Sequence, residues 1–267
     1  MIFTDVASTA HIARFSAAAR QYDRHAALHD QVAGTLLDFA ESLTPPAWVL
    51  DAGCGTGVLT ARLAGRHPAA NIEAIDLSPA MIAMARQRPL PQVRWRVADL
   101  CSATAAPPCD WVVSSSALQW VDNLPAAVAH LARQLRPDGY LCVAVMTLGT
   151  LQELHELRAG IAPDKRPPRQ LPTQADLLSA CAAAGLVCGH EALHTHEVAY
   201  TDGATMLRTL HEQGVTGGAL SQGAATLNRS ELQRLMAAYD AQCRLADGRV
   251  RARFDVGYVL ARKESGQ

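Results

Sequence analysis

Trp48-Val49-Leu50-Asp51-Ala52-Gly53-Cys54-Gly55-Thr56-Gly57 sets the architecture of the whole chain. Trp48, Val49 and Leu50 form the short apolar run of a buried strand, and Asp51 closes it. Gly53, Gly55 and Gly57 follow at alternate positions, and Val58 to Ala64 then reads as a helix. A strand-to-helix turn without side chains at these positions bends sharply and lets a ligand lie against the main chain. The helix N-terminus behind it offers free N–H groups and partial positive charge to a carboxylate or phosphate. A dinucleotide fingerprint, Gly-x-Gly-x-x-Gly, would need its third glycine where Val58 stands.

The spacing present instead, Asp-x-Gly-x-Gly-x-Gly over residues 51–57, resembles the first motif of class I S-adenosylmethionine-dependent methyltransferases. The resemblance implies a doubly wound, seven-stranded Rossmann-like α/β sheet with S-adenosylmethionine as cofactor. It also implies that Asp51, Gly53, Gly55 and Gly57 bind that cofactor. The residues downstream agree. Asn71 to Asp76 reads as the second strand, and its terminal Asp76 lies about 25 residues beyond Asp51, where a ribose-binding carboxylate is expected. Such a group accepts hydrogen bonds from both ribose hydroxyls. Leu77 follows, then Ser78 as N-cap and Pro79 as first residue of a helix that carries Met81. Val93 to Val97 alternates as a third strand, leading to Asp99 and Leu100; by the resemblance Asp99 accepts from the adenine amine and Leu100 walls its ring. Asp110 to Ser114 is a fourth strand, and Ser115 to Trp120 is expected to form the floor between cofactor and acceptor. Leu124 to Leu135 reads as a helix stopped by Arg136-Pro137-Asp138-Gly139, and Tyr140 to Met146 as the fifth strand. The βαβ order gives a doubly wound sheet.

Composition narrows the function classes. A length of 267 residues with net charge −1 argues against binding nucleic acid through bulk charge. The seven cysteines are scattered without the short spacings of zinc sites, so no metal is expected, and they read as buried apolar residues of a reducing compartment. No signal peptide and no apolar run of membrane-spanning length is apparent, and a cytoplasmic enzyme without membrane partners is expected.

The flanks suggest additions to the core. His11 to Ser42 is helix-rich, and residues 1–44 are expected to form an N-terminal helical lid with Gln21 and Tyr22 facing the methionine end of the cofactor. Residues 45–267 would be the methyltransferase domain, with helical insertions at about 150–172 and 202–245 capping the acceptor. Helices are expected over Thr150 to Gly160, Thr173 to Ala184, Ala204 to Gln213 and Arg229 to Cys243, and strands over Leu186 to Tyr200 and Val250 to Ala261.

A closer resemblance lies in these flanks. Phe15 to Ala26, Ser116-Ala117-Leu118-Gln119-Trp120, Leu148 to His155, Arg169-Gln170-Leu171-Pro172 and Leu227 to Leu232 resemble malonyl-acyl-carrier-protein O-methyltransferases of biotin synthesis. The chain departs from their pattern at Pro168, Gln170 and His211. The resemblance implies methylation of the free carboxylate of a malonyl group on an acyl carrier protein, or on malonyl-CoA. Another small acid or a secondary-metabolite substrate is the alternative. It implies an arginine clamp on that carboxylate, Arg169, with Arg158 and Arg208 behind it, and places Tyr22 and Trp120 beside the reacting groups.

Overall fold

A computed structural model of the protein describes residues 16, 17, 19, 27–165, 170–213 and 226–265. Its centre is one seven-stranded sheet in the order β3-β2-β1-β4-β5-β7-β6. The strands are β1 (Trp48–Ala52), β2 (Asn71–Asp76), β3 (Val93–Val97), β4 (Cys109–Ser115), β5 (Leu135–Met146), β6 (Leu186–Tyr200) and β7 (Val250–Lys263). The first five run parallel, whereas β7 is antiparallel to both β5 and β6. β1 sits between β2 and β4, so its buried residues Val49, Leu50 and Ala52 pack on both sheet faces, as a central parallel strand requires.

On one face lie α1 (Ala27–Phe39), α2 (Val58–Arg66) and α3 (Pro79–Ala85), packed over Val49, Ile72, Trp111, Val113 and Cys142. On the other lie α4 (Leu124–Arg133) and α6 (Gln174–Ala183), over Leu50, Val112, Leu141 and Val143. Neighbouring residues of β1 and β4 thus go to opposite faces, the period of two that a pleated strand imposes. Ser78 caps α3 by accepting from the Met81 N–H, with Pro79 at its first turn. Thr173 and Asp176 cap α6 reciprocally.

The segment Ala27–Phe39 packs as a layer on the core. Leu28, Val32, Ala33, Leu36 and Leu37 are buried on the sheet, and Arg62 of α2 grips Asp30 through Nε and Nη2 at 2.7 and 2.6 Å. The Arg136–Gly139 stop lies inside β5: Leu135 already pairs with Cys109, and regular pairing resumes at Trp111 with Tyr140. Asp138 takes the left-handed conformation (φ 61°) there, and Arg136 pairs with Asp110, so the four residues form an irregularity within the strand. Of the seven cysteines, expected to be buried, Cys54, Cys109, Cys142, Cys181 and Cys243 are buried, whereas Cys101 and Cys188 are exposed.

The remaining helices gather at the carboxyl edge of β5. α5 (Gln152–Ile161) begins just beyond that strand, tied to β7 by the Leu151 N–H on the Arg253 carbonyl (2.8 Å) and the Thr150 hydroxyl on the Asp255 carbonyl (3.0 Å). α7 (Gly203–Glu212) and α8 (Arg229–Gln242) connect β6 to β7. Leu154 of α5, Met206 and Leu210 of α7, and Leu235 and Tyr239 of α8 share one buried cluster. Lys165 closes the group with an ion pair to Glu231 (2.7 Å), the residue that also completes the N-cap of α8.

Candidate active site

The glycine turn is held by its neighbours on every side. The N–H groups of Gly53 and Cys54 both donate to the Ile75 carbonyl (2.8 and 2.9 Å), and the Gly57 N–H donates to the Cys54 carbonyl (2.9 Å). Gly53, Gly55 and Gly57 take φ values of 81°, 55° and 85°, the left-handed region that favours glycine. A Cβ at Gly53 would stand 2.4 Å from Ala117 Cβ and 3.5 Å from a Leu100 methyl, so the loops after β1, β3 and β4 converge here. At Gly57 it would meet the Trp95 ring at 2.6 Å, while Arg88 Nε donates to the Thr56 carbonyl at 2.7 Å. Gly55 alone of the three faces open space. That opening leaves room for a ligand against the main chain.

Two carboxylates border it. Asp51 is fully buried; its Oδ2 accepts from the Thr60 hydroxyl at 2.5 Å, and its Oδ1 has no hydrogen-bond partner among the described residues. Burial pushes the Asp51 carboxyl up to about 7, the Thr60 bond opposes the rise, and the nearby Asp76 adds to it. Asp76 accepts from the Gly55 N–H through Oδ2 (2.9 Å) and from the Ser78 N–H through Oδ1 (2.8 Å). Burial raises its pKa against those two bonds. A pair of desolvated acids beside an open glycine calls for a cationic ligand. A sulfonium nucleoside bearing an ammonium group meets that demand, so the residues present fit S-adenosylmethionine.

The other expected residues fall around this core. Leu77 is partly exposed at the end of β2, and Met81 is buried with its N–H on Ser78. Asp99 Oδ1 accepts from the Cys101 N–H at 2.8 Å. Ser115 ends β4 opposite Ala144, and half-buried Trp120 closes the turn Leu118–Trp120. Gln21, Tyr22 and Arg169 lie outside the described residues. Ser16, five residues before Gln21, shares a 2.8 Å hydrogen bond between hydroxyls with Ser78.

Individual roles for Ser116, Gln119, Arg88 and Trp95 do not emerge from the sequence. Ser116 has φ 55° and a buried hydroxyl with no hydrogen-bond partner among the described residues. Gln119 Nε2 donates to the Ser116 carbonyl at 2.8 Å, leaving its own Oε1 buried and unbonded among the described residues. Non-glycine strain with orphaned polar atoms next to Ala117 makes the end of β4 a candidate ligand-facing segment. The pattern of serines after a strand was the available signal, but no periodicity reveals a backbone torsion.

Fold and site together define a class I S-adenosylmethionine-dependent methyltransferase. A methyltransferase-domain family pattern matches residues 49–139. The chain resembles the YcgJ protein of Bacillus subtilis in fold (TM-score 0.62, 14% identity, 88% of this chain and 99% of the other). It also resembles a geranyl diphosphate methyltransferase solved in complex with SAM (TM-score 0.52, 18% identity, 88% of this chain and 85% of the other). In sequence it is 34% identical over 261 residues to the malonyl-[acyl-carrier protein] O-methyltransferase of Laribacter hongkongensis, covering 92% of this chain and 86% of the relative. The chain belongs to the malonyl-[acyl-carrier protein] O-methyltransferase family.

Proposed function

We propose that this enzyme transfers the methyl group of S-adenosylmethionine to the free carboxylate of a malonyl thioester carried on an acyl carrier protein, giving a methyl ester. The observation that carries the reading is kinship over nine-tenths of the chain, flanks included, with a family named for that acceptor. The bound cofactor supplies an electrophilic methyl on a positively charged sulfur. Asp51, through its unbonded Oδ1, would take the ammonium group, and Asp76 the ribose hydroxyls, with the main chain at Gly55 lying against the ligand and Gly53 and Gly57 shaping the turn that presents it. Leu77, Met81, Asp99 and Leu100 would enclose the adenine, and Ser115 with Trp120 the floor beneath the methyl. Gln21 and Tyr22 would close over the methionine end; upstream of them, Ser16 bonds to Ser78 beyond the end of β2.

The acceptor needs no general base. A carboxylate with a pKa near ~4 is already ionised at neutral pH. The protein's task is alignment, and holding two reactants in line contributes roughly 7–11 kcal/mol. α5, with the turn after it, and the α7–α8 pair would form the acceptor cap. Growth rescue of a biotin-requiring strain lacking its own ester-forming methyltransferase tests the proposal. Colonies without added biotin are expected; no rescue by an expressed, cofactor-binding protein would overturn the acceptor assignment and leave the reaction class.

A further inference from the structure

Arg229 and Arg234 of α8 are exposed to water, whereas one half-buried guanidinium of the cap meets no carboxylate among the described residues. Lys165 is engaged by Glu231, Arg253 by Glu153 at 3.4 Å, and Arg251 by Glu153 and Glu197 at 3.8 and 3.4 Å. Arg208 stands near Asp202, whose carboxyl is held low by the Thr205 N–H first and by Arg208 among lesser causes. Arg158, half-buried on α5, meets no carboxylate among the described residues; its Nε donates to the Lys165 carbonyl at 3.2 Å. Burial lowers its pKa with no acidic group opposing the change, and burial first and then Arg158 itself lower the pKa of His155, one turn earlier. A charge withdrawn from water without a counter-charge is costly, and the cost is relieved when an anion arrives. A guanidinium also presents paired N–H groups that match a carboxylate.

We infer that Arg158 is the anchor of the acceptor's free carboxylate, a specificity-determining residue at the carboxyl edge of β5; the inference rests on the malonyl reading above. It reassigns to α5 the role that sequence resemblance gives first to Arg169. Arg158 would hold the carboxylate by hydrogen bonds and leave one oxygen lone pair for the methyl.

The test compares wild type, Arg158→Leu and Arg158→Lys with malonyl-carrier protein as substrate and acetyl-carrier protein as competitor. Loss of a hydrogen-bonded charge partner should raise KM for the malonyl substrate by about 10- to 150-fold in Arg158→Leu. The cofactor Kd should stay within about two-fold, and Arg158→Lys should recover part of the loss. The wild type should bind malonyl-carrier protein more tightly than acetyl-carrier protein, and Arg158→Leu should bind both alike. A wild-type KM in Arg158→Leu, or an equal loss toward both carriers, overturns the anchor while the acceptor stands. A wild type inert toward malonyl-carrier protein overturns the acceptor reading and the anchor with it.

Discussion

The Trp95 indole lies 2.6 Å from the point where a Cβ on Gly57 would be, and Gly57 holds φ 85°. The third glycine is therefore fixed by a side chain from β3 behind the turn, whereas Gly55 is fixed by the open space in front of it. Any alanine in the left-handed region costs about 1–2 kcal/mol. Gly57→Ala adds the collision with Trp95 and should lower thermal stability markedly. Gly55→Ala should lose only the smaller amount of stability while cofactor affinity collapses, because its methyl fills the cradle. Melting curves and calorimetric titration separate the two; equal melting temperatures, or undiminished cofactor binding by Gly55→Ala, would contradict this division.

Cofactor affinity should depend on pH through Asp51. With the carboxyl pKa at about 7 in the empty site, most of it is protonated at pH 6 and most is ionised at pH 8. A cationic ligand binds the ionised form, so Kd should rise about ten-fold on going from pH 8 to pH 6. Asp51→Asn should bind weakly with little pH dependence. Thr60→Val removes the bond that opposes the rise and should move the inflection to higher pH. A flat profile for the wild type would show that Asp51 does not meet the ammonium.

The same group acts on folding with a definite sign. Folding lifts the Asp51 pKa from 3.8 to about 7, so in that window the native state holds a proton that the unfolded chain has released. The contribution of Asp51 to the stability of the empty enzyme therefore falls as pH rises from about 4 to 7. Urea titrations should show the difference between wild type and Asp51→Asn growing across this window and levelling off above it.

The placement of α1 makes a contrary pair of predictions about stability and binding. Leu36 is fully buried against the sheet, so Leu36→Ala should cost about 2–5 kcal/mol of stability. A lid residue would change cofactor affinity instead. Denaturant midpoints should shift while the cofactor Kd of the folded protein stays within about two-fold; the reverse outcome would favour a lid role for residues 27–39.

How much of this was legible in the sequence follows from the physics of each signal. β2 and β6 have the boundaries that the alternation and the flanking turns gave, because side-chain pattern and local chemistry agree there. The Arg136–Gly139 segment carries strong turn chemistry, yet tertiary pairing with β4 absorbs it into β5. The amphipathic face of α1 was visible, but the same stripe of leucines suits a sheet or a ligand equally well. The acids and glycines of the site were readable from spacing. The strain at Ser116 and the solitary charge of Arg158 were not, since each depends on partners far away in sequence.

Mass spectrometry of malonyl-carrier protein, incubated with the purified enzyme and S-adenosylmethionine, tests the central claim most directly. The account predicts that the malonyl-loaded carrier gains the mass of one methylene as an alkali-labile ester, while acetyl-loaded carrier is unchanged. An unmodified malonyl carrier in the presence of demonstrably bound cofactor would contradict it.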